Sequence, residues 1–258
     1  MTKDKIYELL SLAGIDGART EAEILYEEMG DGSDTDITDA IKMRSEGYPL
    51  QYIIGKWWLW DCEFEVNESC LIPRPDTETL IEQAIKRLPC GAHFADLCTG
   101  SGCVAISVLH SRNDTYADAY ELFEDTLDLA SRNAEKNSVS DRFLPIRADV
   151  LDPLALGDKK YGAILSNPPY IRTDVVDTLD REVKHEPRAA LDGGEDGLVF
   201  YVSILDNFRR NLCDGGFFLF EIGYDQGDAL KRLADERQMH CEIIRDLGGR
   251  DRVAYITL

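Results

Sequence analysis

Two periodicities divide this chain. Up to about residue 52, apolar positions recur at helical spacing: Leu9, Leu10 and Leu12 in one segment, then Ala22, Ile24, Leu25 and Met29 in a second that Gly30-Asp31-Gly32 closes. Ser33-Asp34-Thr35-Asp36 supplies cap-type residues for a third helix through Ile37, Ile41 and Met43 to Gly47. Small helices with short loops predict a bundle over 1–52. The pattern then shortens. Trp57, Trp58, Leu59 and Trp60, followed by Phe64, Val66, Leu71 and Ile72, are interrupted at Asp61-Cys62 and Asn67-Glu68, which predicts a β-hairpin over 53–73 that links two domains. Three tryptophans in four residues serve either a binding surface or the packing of that joint.

Beyond Pro73-Arg74-Pro75-Asp76-Thr77-Glu78 the two periods alternate. Apolar runs predict strands over 94–97, 116–122, 143–146, 161–165, 217–221, 242–245 and 253–258, and helical patterns fall at 103–110, 124–137, 198–213 and 226–237. Regular alternation means an α/β, doubly wound parallel sheet over 74–258, with ligands at the carboxyl ends of its strands.

Composition narrows the class. A length of 258 residues allows one large domain, or one plus a small one. No apolar run approaches 18 residues, so no membrane span is expected, and Met1 to Lys5 lead into an amphipathic pattern and not a signal-peptide core. A cytoplasmic location follows. Seven cysteines without a C-x-x-C pair, and four scattered histidines, predict reduced, mostly buried thiols and no metal site. The net charge of -21 argues against a surface that neutralises phosphates, so no direct nucleic-acid contact is expected and a basic partner is favoured.

Two stretches carry candidate chemistry. The run Ile164-Leu165-Ser166 ends in Asn167-Pro168-Pro169-Tyr170, a buried strand stopping at a rigid turn. Such a turn presents the Asn167 side-chain carbonyl and the Pro168 backbone carbonyl side by side. Two fixed acceptors suit a planar NH2 group, with Tyr170 packed on its face. The second stretch is Asp96-Leu97-Cys98-Thr99-Gly100-Ser101-Gly102, at the first strand-to-helix turn of the sheet, with Glu121 ending the next strand where it can accept from both hydroxyls of a ribose. A nucleoside cofactor follows. The glycines alone fit a nicotinamide dehydrogenase equally well, but hydride transfer has no use for two acceptors facing an NH2 group, and methylation of nitrogen does.

The loop 96–102, Glu121 and the Asn-Pro-Pro-Tyr turn resemble class I S-adenosylmethionine-dependent methyltransferases acting on planar nitrogen. The stretches 47–55, 71–78 and 186–191, together with Gly193-Gly194-Glu195-Asp196-Gly197-Leu198 and Glu221-Ile222-Gly223 with Gln226, resemble the protein-(glutamine-N5) methyltransferases of peptide chain release factors. The resemblance implies a mostly parallel seven-stranded sheet, S-adenosylmethionine as cofactor, and methylation of the glutamine in the Gly-Gly-Gln loop of release factors by a monomer. A ribosomal-protein glutamine and adenine-N6 of nucleic acid are the alternatives.

Under that reading Asn167, Pro168 and Tyr170 are catalytic and Pro169 completes the substrate turn. Asp96, Cys98, Thr99, Gly100, Ser101 and Gly102 border the cofactor with Asn167, Glu121 binds the ribose, and Asp149 with Val150 flanks the adenine. Asp149 reads equally as a helix cap. Arg74 and Glu78 either close the site or form a surface ion pair. Two positions depart from the pattern. Cys98 stands where a loop glycine is expected, which argues against a positive φ there, and Asp61 stands where the hairpin turn expects glycine. Residues 1–52 are read as the substrate-docking domain.

Overall fold

The computed structural model describes residues 1–30 and 33–258; Asp31 and Gly32, read above as part of a helix stop, lie outside the described residues. Four helices come first: α1 (Lys3–Leu12), α2 (Ala18–Met29), α3 (Asp34–Ser45) and the short α4 (Leu50–Ile54). Ser33 caps α3 in a reciprocal box with Asp36, satisfying two backbone donors at the helix start. Ile6, Leu10, Ala22, Leu25, Ile37 and Leu50 close an apolar cluster of their own. Of the periodic positions in α1, Leu10 is buried and Leu12 is 78% exposed. Helix α3 stops at Ser45, before Gly47, and α4 was not foreseen.

The hairpin pairs β1 (Lys56–Leu59) with β2 (Cys62–Glu65) through a two-residue loop. Its positive φ falls on Trp60, at +56°, and not on Asp61. Two contacts hold Trp60 in that unfavourable region: its backbone N–H donates to Glu78 at 3.2 Å and its indole N–H to Ser111 at 2.8 Å. Trp57 and Trp60 pack on the apolar core of the sheet domain, whereas Trp58 is exposed with Lys56 over its ring. The outer edge of β2 is covered by amides from a later helix, α7 (Glu124–Lys136), and the residue that follows it. Asn133 accepts from the Glu65 N–H and donates to its carbonyl, and Asn137 does the same for Glu63.

The sheet contains β3 (His93–Leu97), β4 (Tyr116–Glu121), β5 (Phe143–Arg147), β6 (Tyr161–Ser166), β7 (Leu212–Glu221), β8 (His240–Arg245) and β9 (Asp251–Thr257), in the order β5-β4-β3-β6-β7-β9-β8. The five strands from β5 to β7 are parallel, and β9 runs antiparallel to both neighbours. Helices α5 (Glu78–Arg87), α6 (Cys103–Ser111), the four-residue α8 (Thr173–Val176), α9 (Val199–Phe208) and α10 (Gly227–Glu236), with α7, complete the domain. Apolar clusters fill both faces of the sheet, one holding Leu80, Phe94 and Leu165, the other Ile164, Phe218 and Phe220.

Three sequence expectations need correction. Helix α5 was not foreseen, although Leu80, Ile81 and Ala84 have helical spacing. The helix placed over 198–213 ends at Phe208, and Leu212 and Cys213 already belong to β7. All seven cysteines are free, but only Cys62 and Cys70 are buried, and Cys90 and Cys213 are exposed. Among the described residues, no helix is long and apolar enough to cross a membrane.

Candidate active site

Chain order in the sheet reverses between β3 and β6, and a cleft opens at the carboxyl ends of β3, β4 and β6, the place an open α/β sheet offers a ligand. It is lined by residues from seven separate stretches of chain.

The loop after β3 lies on the floor. Cys98 has φ +56°, so the departure from glycine does not remove the left-handed backbone there. A residue other than glycine pays roughly 1–2 kcal/mol for that conformation, and the Thr99 N–H, bonded to the Tyr120 carbonyl at 3.0 Å, holds the chain in place. Gly100 has φ +55°, and a Cβ there would meet nothing within 4 Å, so the loop leaves an open cradle on the cleft side. Gly102, at φ +83°, instead packs closely on Ile106.

Asp96 sits beneath this loop and outside the cleft lining. One of its oxygens accepts from the Thr99 hydroxyl at 2.6 Å and the Ala105 N–H at 3.3 Å, fixing the loop to the first turn of α6. The other, Oδ1, is buried without a partner among the described residues. Burial raises the carboxyl to about 7, against the opposing effect of the Thr99 hydroxyl.

Glu121 does more than end β4. Its Oε2 accepts from Gly100 N–H at 3.1 Å, and its Oε1 from the N–H groups of Leu122 and Phe123 at 2.8 and 3.2 Å. The carboxylate therefore braces the glycine loop: Oε1 spends both lone pairs on backbone N–H groups, and Oε2 keeps one that a ribose hydroxyl could use. Burial raises its pKa and the three backbone donors oppose that. Asp149 and Val150 line the cleft beyond it, and Asp149 also accepts from the Leu151 N–H at 2.9 Å, so lining and turn-fastening coincide. Burial pushes the lining thiols of Cys70 and Cys103 to about 11 and about 12, which keeps them protonated.

Asn167 follows β6, whose last residue Ser166 donates to the Leu97 carbonyl at 2.7 Å and so ties the two floor strands together. The structure brings Asn167 and Pro169 into the same cleft as Cys98, Thr99, Gly100, Ser101, Glu121, Asp149 and Val150. Pro168 is buried behind it, and Tyr170 turns its hydroxyl toward Glu221 at 3.4 Å.

Several lining residues were not singled out as site residues from the sequence. Thr77, Phe123 and Phe200 come from three separate segments. Phe123 is a half-exposed ring two residues after Glu121, and that aromatic close to the acid-ended strand was the usable clue. The roof is formed by Pro187, Ala189 and Ala190. Glu186, just before them, accepts from the Ile72 N–H at 2.9 Å and pairs with Arg74, so Arg74 joins wall to roof. Glu78 faces the hairpin instead, accepting from Trp60.

The methyltransferase small domain family model matches residues 75–202. A release factor glutamine methyltransferase of Moorella thermoacetica is 36% identical over 263 residues, covering 94% of this chain and 92% of its own length. Its counterpart from Clostridium botulinum is 36% identical over 219 residues, covering 83% and 77%. Among solved structures, a methyltransferase from Pyrococcus furiosus aligns with a TM-score of 0.56 at 17% identity, over 77% of this chain and 89% of the other, a likeness of fold.

Proposed function

The chain belongs to the release factor glutamine methyltransferase family, and we propose that its cleft transfers a methyl group from S-adenosylmethionine to the side-chain amide nitrogen of the glutamine in the Gly-Gly-Gln loop of a peptide chain release factor. The observation that carries this reading is the shared cavity: Asn167 lines the same cleft as Gly100 and Glu121, so the amide-holding end and the nucleoside-holding end meet.

The residues present fit the cofactor. Glu121 offers the remaining lone pair of Oε2 to a ribose hydroxyl, the Gly100 cradle lets a ligand approach bare backbone, and Leu122, Phe123 and Val150 give the apolar wall that an adenine needs. When bound, S-adenosylmethionine supplies an electrophilic methyl on a sulfonium.

A carboxamide nitrogen is a weak nucleophile because its lone pair is delocalised into the carbonyl. It requires no deprotonation before attack if both N–H groups are held and the nitrogen is in line, so positioning carries most of the rate. Asn167 Oδ1 and the Pro168 carbonyl accept those two N–H groups and stabilise the positive charge that grows on nitrogen, and Tyr170 packs on the amide plane. Once the N–C bond has formed, one N–H proton passes to water and the neutral methylamide remains. Residues 1–52 hold the protein substrate: the first 72 residues contain six Lys and Arg against sixteen Asp and Glu, nearly half of the net charge of -21.

Mass spectrometry of release factor incubated with enzyme and S-adenosylmethionine tests the reading. A single methyl on the Gly-Gly-Gln glutamine is expected, and the Asn167→Ala variant should be roughly a hundredfold or more slower while still binding cofactor. An unmodified glutamine, or an Asn167→Ala rate within a few-fold of wild type, would overturn it.

A further inference from the structure

Behind the Asn-Pro-Pro-Tyr turn lies a set of buried polar groups that the mechanism above does not use. Thr77 Oγ1 is 3.4 Å from Asn167 Nδ2, and Thr77 is 1% exposed. Glu221, at the end of β7, is 2% exposed; its Oε1 accepts from the Tyr170 hydroxyl and its Oε2 has no partner among the described residues. Burial raises the Glu221 carboxyl to about 7, and the Thr77 hydroxyl and the Arg252 guanidinium act against that rise while Asp76 adds to it. Thr77 is held in position from both sides: its N–H bonds the Arg74 carbonyl at 3.0 Å, and neighbouring Asp76 pairs with Arg252 at 2.9 Å.

An asparagine amide has two ends of nearly the same shape and opposite hydrogen-bonding sense, and only the oxygen end can accept N–H groups from a substrate. The acceptor assigned to Asn167 therefore works in one of its two orientations. A threonine hydroxyl has a single proton. With that proton turned away from Asn167, toward the side where the Thr77 hydroxyl influences the Glu221 carboxyl, a lone pair faces Asn167 and accepts the Nδ2–H, which leaves Oδ1 for the cleft. In the flipped amide, Oδ1 would face the same lone pair.

We propose that Thr77, backed by Glu221, is a positioning residue for methyl transfer that selects the orientation of the Asn167 amide. The inference rests on the reading of Asn167 as the substrate acceptor, and the experiment separates the two. Thr77→Val keeps the shape and removes the hydroxyl; Thr77→Ser keeps the hydroxyl. Single-turnover methylation of release factor, calorimetry of S-adenosylmethionine binding and thermal unfolding are measured for both, for Asn167→Ala and for the Thr77→Val/Asn167→Ala double variant.

Thr77→Val should lose about tenfold in rate, the factor one ordinary hydrogen bond represents, with cofactor affinity within about twofold. Thr77→Ser should recover most of the rate, and in the Asn167→Ala background Thr77→Val should cost nothing further, since its effect passes through that amide. If Asn167→Ala is slow but Thr77→Val keeps the wild-type rate, the orientation role is wrong and the acceptor role stands. If Thr77→Val lowers cofactor affinity and melting temperature together and Thr77→Ser does not restore the rate, Thr77 is a packing residue and the inference fails. A fast Asn167→Ala enzyme would remove the acceptor reading itself.

Discussion

Arg44 of α3 donates from its guanidinium to Glu182 at 2.8 Å, joining the helical cluster to the segment that roofs the cleft, 138 residues later in the chain. The same side chain, 4% exposed, binds Glu21 of α2 through two hydrogen bonds of 2.7 and 2.8 Å. Around it Gly47 packs on the Arg181 side chain and the Tyr48 ring meets His185 at 5.1 Å. The roof residues Pro187, Ala189 and Ala190 follow directly.

The two halves of this junction should separate by mutation. Arg44→Met leaves Glu21 without its buried partner and should cost about 3 kcal/mol, a fall of roughly 6–12 °C in melting temperature at 2–4 °C per kcal/mol. Glu182→Gln, whose carboxylate is half exposed, should leave the melting temperature nearly unchanged and instead speed cofactor release by loosening the roof. Thermal unfolding and stopped-flow dissociation check the pair, and equal effects on both quantities would contradict the division.

Glu121→Ala should weaken S-adenosylmethionine binding by roughly 1–3 kcal/mol and also lower the melting temperature, because three backbone N–H groups lose their acceptor. Glu121→Gln should do nearly as badly, since its NH2 end faces a backbone donor on one side or the other. Glu121→Asp should keep part of the affinity. Calorimetry is the measurement, and tighter binding of NAD than of S-adenosylmethionine would contradict the cofactor assignment.

At the opposite end of the sheet, Asp118 accepts from His93 Nε2 at 2.8 Å, Lys159 at 2.6 Å and the Tyr161 hydroxyl at 2.7 Å. Burial alone would raise its carboxyl; the three donors overcome that and hold it down at about 2. A carboxyl depressed in the fold stabilises above its ordinary value near 3.8 and loses that contribution as pH falls through the folded value. The contribution is on the order of 2 kcal/mol. Denaturant unfolding of wild type and Asp118→Asn between pH 7 and 2 should show a stability gap that is steady above pH 5 and closes below about pH 4.

Much of the fold was legible because buried parallel strands are contiguous apolar runs and their helices are amphipathic, so the strands from Phe94 to Leu165 needed no tertiary information. The start of β7 was not legible. The strand was placed only from 217, yet it runs through Gly215 and Gly216, with Gly215 at φ +75°, and the β6 pairing shifts register there between Tyr161 and Ala163. Within the cleft, loop residues such as Gly100 and strand ends such as Glu121 and Asn167 declare themselves locally. Thr77, and Glu186 and Glu221 outside the lining, stand in stretches that carry the family resemblance, but their roles do not show locally, because their partners lie 90, 112 and 51 residues away.

The helical domain's charge gives a kinetic prediction. Glu27, Asp39 and Glu46 are exposed on α2, on α3 and at its end. Replacing them by Gln, Asn and Gln should slow association with release factor and flatten its salt dependence, since steering between exposed charges is screened over about 8 Å at physiological salt. Cofactor affinity should not move. Unchanged association rates at low salt would take the docking role away from this surface.

The amides that cover β2 set an order of events during synthesis. Glu65 leaves the ribosome 68 residues before Asn133, and Glu63 leaves 74 residues before Asn137. At roughly 5–20 residues per second the hairpin waits several seconds with an open edge, too small to be stable alone and free to pair with another nascent strand. The alternating carboxylates of Glu63 and Glu65 lie on that edge strand, and like charges repel a second copy of themselves. In the finished protein Lys136 and Arg132 neutralise them; in the unfinished one they act as the guard.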